Sequence, residues 1–317
     1  MKPEATDADR GSLPPTSRFG LLILFWLARR MPWTLRILKP IAVWLAVRCS
    51  AGIRQGTSAN GRRLLGPGTT AKKQAAFKSD VVGNFYDFVI DIARSRTATT
   101  AELLNRIDTI EGREEYLAHR KAGGGAIIVT AHMGSFEVGL AALTDVEKHI
   151  HVVFKRDRID GFEKIRQTLR NKLGIIEAPI DDGWETWLGL RDALASNHVV
   201  VMQGDRAMPG QKAQAVPMFG GHILLPLGPL KLAQISGSPI VPVFTIRNPD
   251  GRCRLIAESQ IRVDADAELI DGVHPALLQL GAIIAKHLAA HPDQWLILTA
   301  AFVEDQTDSS PESLADT

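Results

Sequence analysis

The sequence predicts an α/β fold, in which helices flank a mixed, largely parallel sheet and a helical, membrane-associating segment lies at the N-terminus. Short apolar runs typical of buried strands alternate with helical patterns from about residue 107 onwards. The chain has 317 residues, of which 45% are hydrophobic, enough for one large domain with an appendage. The residues before this alternation are instead apolar and basic.

These shifts in composition divide the chain into four segments. Residues 1–17 are polar and predict a flexible tail. Residues 18–106 form a basic, helical, membrane-associating region, and 107–304 form the α/β domain. Residues 305–317 are rich in Asp, Ser and Glu and predict a disordered acidic tail.

The N-terminal region is both strongly basic and the most hydrophobic part of the chain. Between Gly11 and Ser79 there are twelve Lys or Arg residues and no Asp or Glu. Its uncharged runs, 19–28 and 40–47, are shorter than the roughly 20 residues of a standard membrane span. Residues 18–50 therefore predict two interfacial helices or a shallow hairpin, with tryptophans at headgroup depth: Trp26, Trp33 and Trp44. The alternative is an amphipathic helical pair packed on the α/β domain.

Net charge and cysteine content exclude some functions. The formal net charge of +2 provides no argument for nucleic-acid binding. Cys49 and Cys253 lie far apart and lack metal-ligand spacing, so we expect neither a disulfide framework nor a metal site. Two isolated cysteines fit a reducing compartment or the cytosolic face of a membrane.

The elements follow in order along the chain. Apolar residues at helical spacing predict a long helix over 71–95. Within the α/β domain we predict strands at 126–130, 151–154, 198–202, 240–246, 254–257 and 295–301. Between them we predict helices at 137–144, 161–173, 184–195, 230–236 and 275–291. Ligands usually bind where the carboxyl ends of parallel strands meet, and His132 and Asp205 both follow strands.

The most informative motif is the block Thr130-Ala-His-Met-Gly-Ser-Phe-Glu137. It places His132 and Glu137 five positions apart, after a buried strand and across the turn into a helix. A neutral imidazole can take a proton from a hydroxyl while a carboxylate fixes its tautomer, which typically contributes about 10²–10⁴ in rate. A buried, hydrogen-bonded structural histidine is the competing interpretation.

Other groups are candidates for substrate binding. Arg170 could stabilise an oxyanion or be a solvated helix residue, and Asp205 could position a substrate or cap a helix. Lys155 and Arg156 could meet phosphates or form a solvated turn, and Arg206 belongs with Asp205. Amides near Gly134 and Ser135, at a helix N-terminus, are further oxyanion candidates. The apolar run 216–229 could line a groove for an apolar tail or be ordinary core.

Several blocks in this order resemble the lysophospholipid acyltransferase superfamily, in particular its bacterial lipid A late-acyltransferase branch. The similarity runs from about Gly20 to Phe302. It comprises the basic N-terminal segment, the His-x4-Glu block, and these later blocks: Phe154-Lys155, Arg170-Asn-Lys-Leu-Gly174, Gly204-Asp205, Pro217-Met-Phe-Gly220, Pro226-Leu-Gly-Pro229, Ile240-Val-Pro-Val-Phe244 and His291-Pro-Asp-Gln-Trp295.

The resemblance implies transfer of an acyl chain from an acyl-carrier-protein or coenzyme A thioester to a lipid acceptor, without a further cofactor. It assigns His132 as the base and Glu137 as its orienting partner, and it places the functional arginine and aspartate at Arg170 and Asp205. It also implies a peripheral or shallowly inserted protein, attached through residues 18–50 to the cytoplasmic face of a bacterial inner membrane.

Departures from the branch concern the acceptor more than the chemistry. Ala131 stands where the branch usually has Asn. The strand that ends at residue 203 is followed by Gly-Asp-Arg-Ala in place of the more usual Asp-x-Asp-like ending. The final apolar run lacks the usual basic pair and tryptophan. The acceptor is therefore either lipid A precursor-like or another precursor, such as a pigment, polyene, glycolipid or phospholipid. A non-catalytic lipid- or carrier-binding relative and a thioesterase-like hydrolase remain alternatives.

Overall fold

A computed structural model describes Arg30 and residues 32–95, 97–156, 160–180 and 183–306. Three predictions lie outside these residues: the N-terminal tail, the whole of the first apolar run with Trp26, and residues 307–317 of the acidic C-terminal tail.

The α/β architecture predicted from the sequence is confirmed. The central sheet has seven strands in the order β1-β9-β8-β2-β5-β3-β4. Five neighbouring strands, from β8 to β4, are parallel, whereas β9 is antiparallel to β8 and parallel to β1. The strands are β1 Ile107–Glu111, β2 Ala126–Thr130, β3 Ile150–Phe154, β4 Ile176–Pro179, β5 Val199–Gln203, β8 Ile240–Arg247 and β9 Cys253–Ala257.

Helices cover both faces of the sheet. Those of the α/β domain are α4 Thr100–Leu104, α5 Arg113–Lys121, α6 Phe136–Thr144, α7 Asp160–Lys172, α8 Trp184–Ala195, α9 Gly228–Ser236, α10 Pro275–Ala290 and α11 Val303–Gln306. Alternate residues of β2 point to opposite faces, as the pleat requires. Ile127 and Val129 join the larger core with α8, α9 and α10, whereas Ile128 packs with Leu140 of α6.

Three helices precede the sheet: α1 Pro32–Cys49, α2 Ala51–Leu64 and α3 Ala71–Ser95. They contact one another, and α1 lies on α3, where Tyr86 donates its hydroxyl to the Leu35 carbonyl at 2.9 Å. Among the residues that the structure describes, no helix has the length and apolar character needed to cross a membrane.

The predicted final strand over 295–301 is wrong. Apart from single bridges at Trp295 and Phe302, this segment is irregular. Its backbone groups bind side chains instead, because Asn60 of α2 donates to the carbonyls of Ile297 and Thr299 and accepts from the Ala301 amide. We call residues 292–302, which include a short 3-10 turn at Pro292–Gln294, the C-terminal strap.

The run 216–229, considered above as a lining for an apolar tail, forms mostly a two-stranded hairpin. Its strands are β6 Ala213–Met218 and β7 Gly221–Pro226. The inward side chains are buried in the larger core, and three of them lie where a side chain on Gly281 of α10 would be: Val216, Met218 and Leu225. This part of the run is therefore ordinary core.

Candidate active site

The carboxyl ends of two neighbouring strands bring His132 and Asp205 together. Strands β2 and β5 are parallel with Thr130 opposite Gln203, and the Gly204 amide donates to the Thr130 carbonyl at 2.9 Å. Each functional side chain sits two residues beyond the end of its strand. Nδ1 of His132 and Oδ1 of Asp205 are 2.8 Å apart. The parallel register is the reason why residues 73 positions apart in the chain become a pair.

Asp205 is completely buried, and both of its carboxylate oxygens are hydrogen-bonded. Oδ1 bonds His132, and Oδ2 accepts from the indole Nε1 of Trp295 at 2.7 Å. Burial by itself would raise the pKa of Asp205. The charge of His132 and the hydrogen bonds from His132 and Trp295 outweigh burial, so the pKa lies below its usual value. Asp205 therefore stays ionised.

An ionised partner decides which nitrogen of His132 is basic. A carboxylate only accepts hydrogen bonds, so Nδ1 of His132 carries the proton and Nε2 carries the lone pair. The imidazole is 28% exposed, although its partner is fully buried. Within the described residues Nε2 has no hydrogen-bond partner. The ring can therefore accept a proton from a bound molecule.

Asp205, rather than Glu137, is the carboxylate hydrogen-bonded to the His132 ring in the described part of the chain. Glu137 lies in the first turn of α6, is 2% exposed, and its Oε2 has no hydrogen-bond partner in the described part of the chain. Burial raises the pKa of Glu137, and the charge of Arg166 only partly offsets this. A role for Glu137 in the reaction stays a prediction.

The turn between these groups is held by the backbone. Gly134 has a φ of +58°, and a Cβ there would overlap the carbonyl oxygen of Thr245 in β8. Ser135 is the N-cap of α6 but makes no side-chain capping bond, and its buried hydroxyl has no partner among the described residues. Ser135 is therefore poorly placed to meet a substrate, whereas the amides at the start of α6 remain candidates for an oxyanion.

Arg170 is a buried member of an ion-pair cluster rather than a solvated helix residue. Its Nε donates to Glu177 of β4 at 2.7 Å, and a terminal nitrogen bonds Glu163. The guanidinium also lies 4.0 Å from the ring centre of Phe154. Neither His132 nor Asp205 is among its hydrogen-bond or ion-pair partners. A direct role for Arg170 with substrate stays a prediction.

Two cations at the same edge were also predicted to bind substrate. Lys155 directly follows β3, which neighbours β5, and its side chain is exposed. Arg206 follows Asp205 and is half-buried, and its Nε has no partner within the described residues. The structure thus places both at the carboxyl edge of the sheet, and their contacts with substrate stay predictions.

An apolar cavity lies behind the His132 turn, between α6 and the sheet. The empty space between its walls is about 790 Å³, part of which is open to solvent. Near the turn the cavity is lined by Thr130, Phe136 and Thr245. Further polar lining residues are Arg113, Tyr116 and Asp145. The remaining walls include Ile128, Leu140, Leu143, Val201, Val243 and Leu255.

Trp295 is the residue of this site that the sequence interpretation missed. In the sequence it stands at the end of the closing block His291-Pro-Asp-Gln-Trp295 and at the start of the expected final strand. A tryptophan in a buried run usually finds an acceptor for its N–H, and this is the signal that could have linked it to a carboxylate. Groups of His, Cys, Asp and Glu able to hold a metal ion do not occur in the described ranges.

The chain is similar to proteins of one known family and to named relatives. The family described as bacterial lipid A biosynthesis acyltransferase matches residues 16–303. A phosphatidylinositol mannoside acyltransferase of Mycobacterium tuberculosis (strain H37Rv) is 25% identical over 224 residues, which cover 69% of this chain and 68% of that protein. The protein of the same name from Mycolicibacterium smegmatis is 24% identical over 189 residues, or 59% of this chain and 60% of the relative.

The chain belongs to the bacterial lipid A biosynthesis acyltransferase family, and it is an acyltransferase. The resemblance drawn from the ordered motifs is thereby confirmed. Membership implies an acyl donor and a lipid acceptor.

Proposed function

We propose that this enzyme transfers a fatty acyl chain from a thioester to a hydroxyl or amine of a lipid or glycolipid, with His132 as the general base. One observation carries the proposal. The imidazole is paired through Nδ1 with a buried, ionised carboxylate and is partly exposed at the carboxyl edge of the sheet, with Nε2 left to meet an acceptor.

The proposed step is direct transfer. Nε2 of His132 takes the proton of the acceptor O–H while the oxygen attacks the thioester carbonyl carbon. The tetrahedral oxyanion collapses, the C–S bond breaks, and the departing thiolate takes the proton back from the imidazolium. Asp205 stabilises the imidazolium throughout. Buried Ser135 is a poor nucleophile, which supports a mechanism without an acyl-enzyme.

The names of the relatives favour a glycolipid acceptor. Those relatives are named for phosphatidylinositol mannosides, and the family is described by lipid A, so glycolipids are common to both. A lipid A precursor-like molecule is the first acceptor to try, and pigment, polyene and phospholipid precursors are the alternatives. The thioester is carried by acyl carrier protein or coenzyme A, whose phosphates Lys155 would meet.

The central experiment measures thiol release and acylated product together. Purified enzyme receives acyl-carrier-protein or acyl-coenzyme A donors and a panel of glycolipids, and mass spectrometry identifies the product. We expect His132→Ala to lower transfer by about 10²–10⁴-fold with the fold retained. Retained transfer would refute the assigned base. Free fatty acid without acylated lipid would instead indicate a thioesterase-like hydrolase.

The cavity behind the His132 turn is the proposed site of the acyl chain. An apolar chain needs a dry wall, and this cavity begins at Thr130, two residues before the base. Ala142 of α6 lines it, so Ala142→Phe should shift the preferred donor towards shorter chains. Ala75→Phe, on the exposed surface of α3, is the matched control. An unchanged chain-length preference in Ala142→Phe would contradict this site.

The outer face of α1 is the proposed membrane contact. Four apolar residues of this face recur at helical spacing and are each more than half exposed: Trp33, Ile37, Ile41 and Trp44. Exposed Arg36 and Arg48 on the same helix add attraction to anionic lipid, about 1 kcal/mol each near the surface. This supports peripheral attachment, which we assign to the cytoplasmic face of a bacterial inner membrane.

Vesicle sedimentation tests the membrane contact. We expect serine at Trp33, Ile37, Ile41 and Trp44 together to lower markedly the fraction that pellets with vesicles containing anionic lipid. Serine at Leu269 and Ile270, which are exposed on another surface, is the control and should leave pelleting unchanged. Full pelleting of the four-residue variant would contradict the assignment.

A further inference from the structure

The C-terminal strap contacts both members of the His132–Asp205 pair. The Leu296 amide donates to the carbonyl of His132 at 2.8 Å, and Trp295 forms an antiparallel bridge with Met133. The indole N–H of Trp295 bonds the other side of Asp205. One short segment therefore supports the histidine through its backbone and the aspartate through a side chain.

The contact between Trp295 and Asp205 has no substitute in solvent. Both residues are essentially inaccessible, Trp295 at 1% and Asp205 at 0% exposure. A water molecule therefore cannot easily replace the indole, and a carboxylate oxygen without a donor in a dry site is costly. With Oδ1 on His132 and Oδ2 on Trp295, the carboxylate is restrained to one orientation.

The strap is itself restrained on both sides. The Gln294 side chain bonds the backbone amide and carbonyl of Arg247, each at 2.8 Å, at the end of β8. Asn84 of α3 donates to Asp293 at 2.9 Å, and Asn60 of α2 holds residues 297–301. The indole is therefore presented to Asp205 by a segment fixed to both the sheet and the helices.

We propose that Trp295 is a positioning residue of the acyl transfer reaction. By donating to Oδ2, it holds the Asp205 carboxylate in the orientation that keeps the proton on Nδ1 of His132 and the lone pair on Nε2. This inference rests on the proposed role of His132 as the base. The effect of Trp295 on the His132 tautomer is present in the resting enzyme, before any substrate binds.

Trp295→Phe is the decisive variant, because it removes the N–H donor and keeps an aromatic ring in the core. We expect kcat to fall by about 10–100-fold with little change in KM, the loss expected for a hydrogen bond to a charged group. Ile297→Ala, at a buried position of the same strap whose carbonyl accepts from Asn60, is the control for stability loss. It should leave kcat within a few-fold of the wild type at temperatures where it is folded.

Nitrogen NMR of the histidine rings separates this inference from the proposed function. In the wild type, His132 should hold its proton on Nδ1. In Trp295→Phe the carboxylate is free to turn away from the ring, so a substantial fraction of His132 should lose its hydrogen bond to Asp205 and carry the proton on Nε2, whereas in Ile297→Ala the tautomer should be unchanged. Trp295→Phe with the wild-type tautomer and kcat would overturn the inference. A shifted tautomer in an enzyme that transfers no acyl group to any lipid would support the positioning and refute the proposed function.

Discussion

Two buried carboxylates lie on either side of the His132 turn, and their surroundings push their pKa values in opposite directions. On the strap side, Asp205 has hydrogen bonds from His132 and Trp295, which outweigh burial and lower its pKa. On the α6 side, burial is the largest influence on Glu137 and raises its pKa, and Oε2 has no partner among the described residues. The pairing of a carboxylate with His132 therefore depends on the hydrogen-bond donors around that carboxylate, and not on its distance from the histidine in the sequence.

The largest expected difference between the two sides concerns the tautomer of His132. In Asp205→Asn the amide can donate to Nδ1, which stabilises the wrong tautomer, and kcat should fall by about 10³–10⁴-fold. Glu137→Gln should leave the proton on Nδ1, because Glu137 makes no hydrogen bond to the ring in the described structure. Nitrogen NMR measures both variants. A tautomer that shifts in Glu137→Gln but not in Asp205→Asn would contradict this difference between the two carboxylates.

The second difference concerns what holds each side in place. The α6 side depends on backbone contact at Gly134, so Gly134→Ala should cost about 3 kcal/mol of unfolding free energy, from a positive φ and from overlap with Thr245. Chemical denaturation measures the loss. Gly189→Ala in α8 is the control, because a Cβ there meets open space. Stabilities equal to that of the wild type in both variants would show that the turn is less restrained than its geometry indicates.

The third and smallest expected difference is the pH dependence of stability. The pKa of Glu137 is raised on folding, so its contribution is favourable below the unfolded value of about 4.3 and is lost as pH rises through the folded pKa. The pKa of Asp205 is lowered, so its contribution is present above about 3.9 and is lost as pH falls through the folded pKa.

Thermal unfolding from about pH 2 to pH 8 covers both windows and measures these opposite signs. Relative to the wild type, Glu137→Gln should gain stability as pH rises. Asp205→Asn should be less stable than the wild type at neutral pH, and its deficit should shrink towards acid pH. Parallel pH profiles for the two variants would contradict the different environments of the two carboxylates.

Much of the fold was predictable, because strand and helix patterns are local. The buried runs at 126–130 and 240–246 and the long helix at 71–95 all form within a residue or so of their predicted bounds. The strap was mistaken for a strand because its apolar residues are buried as a strand's would be. Residues 297–301, however, bond the side chain of one residue of α2, Asn60, more than 230 residues earlier.

The candidate site was predictable in its parts and less so in its connections. His132 and Asp205 were both placed at the carboxyl edge from their positions after strands. Their pairing depends on β2 and β5 being neighbours, which a single sequence does not reveal. The contact of Trp295 with Asp205 and the burial of Arg170 between Glu163 and Glu177 likewise depend on tertiary packing.

The position of Trp295 in the chain has a consequence for the timing of activity during synthesis. The indole follows Asp205 by 90 residues and His132 by more than 160. A growing chain that has emerged only as far as α10 already contains the base and its carboxylate, yet lacks the donor that orients them. We therefore expect full acyl transfer only after the strap has left the ribosome, and we expect a product truncated before the strap to hold His132 and Asp205 without this donor.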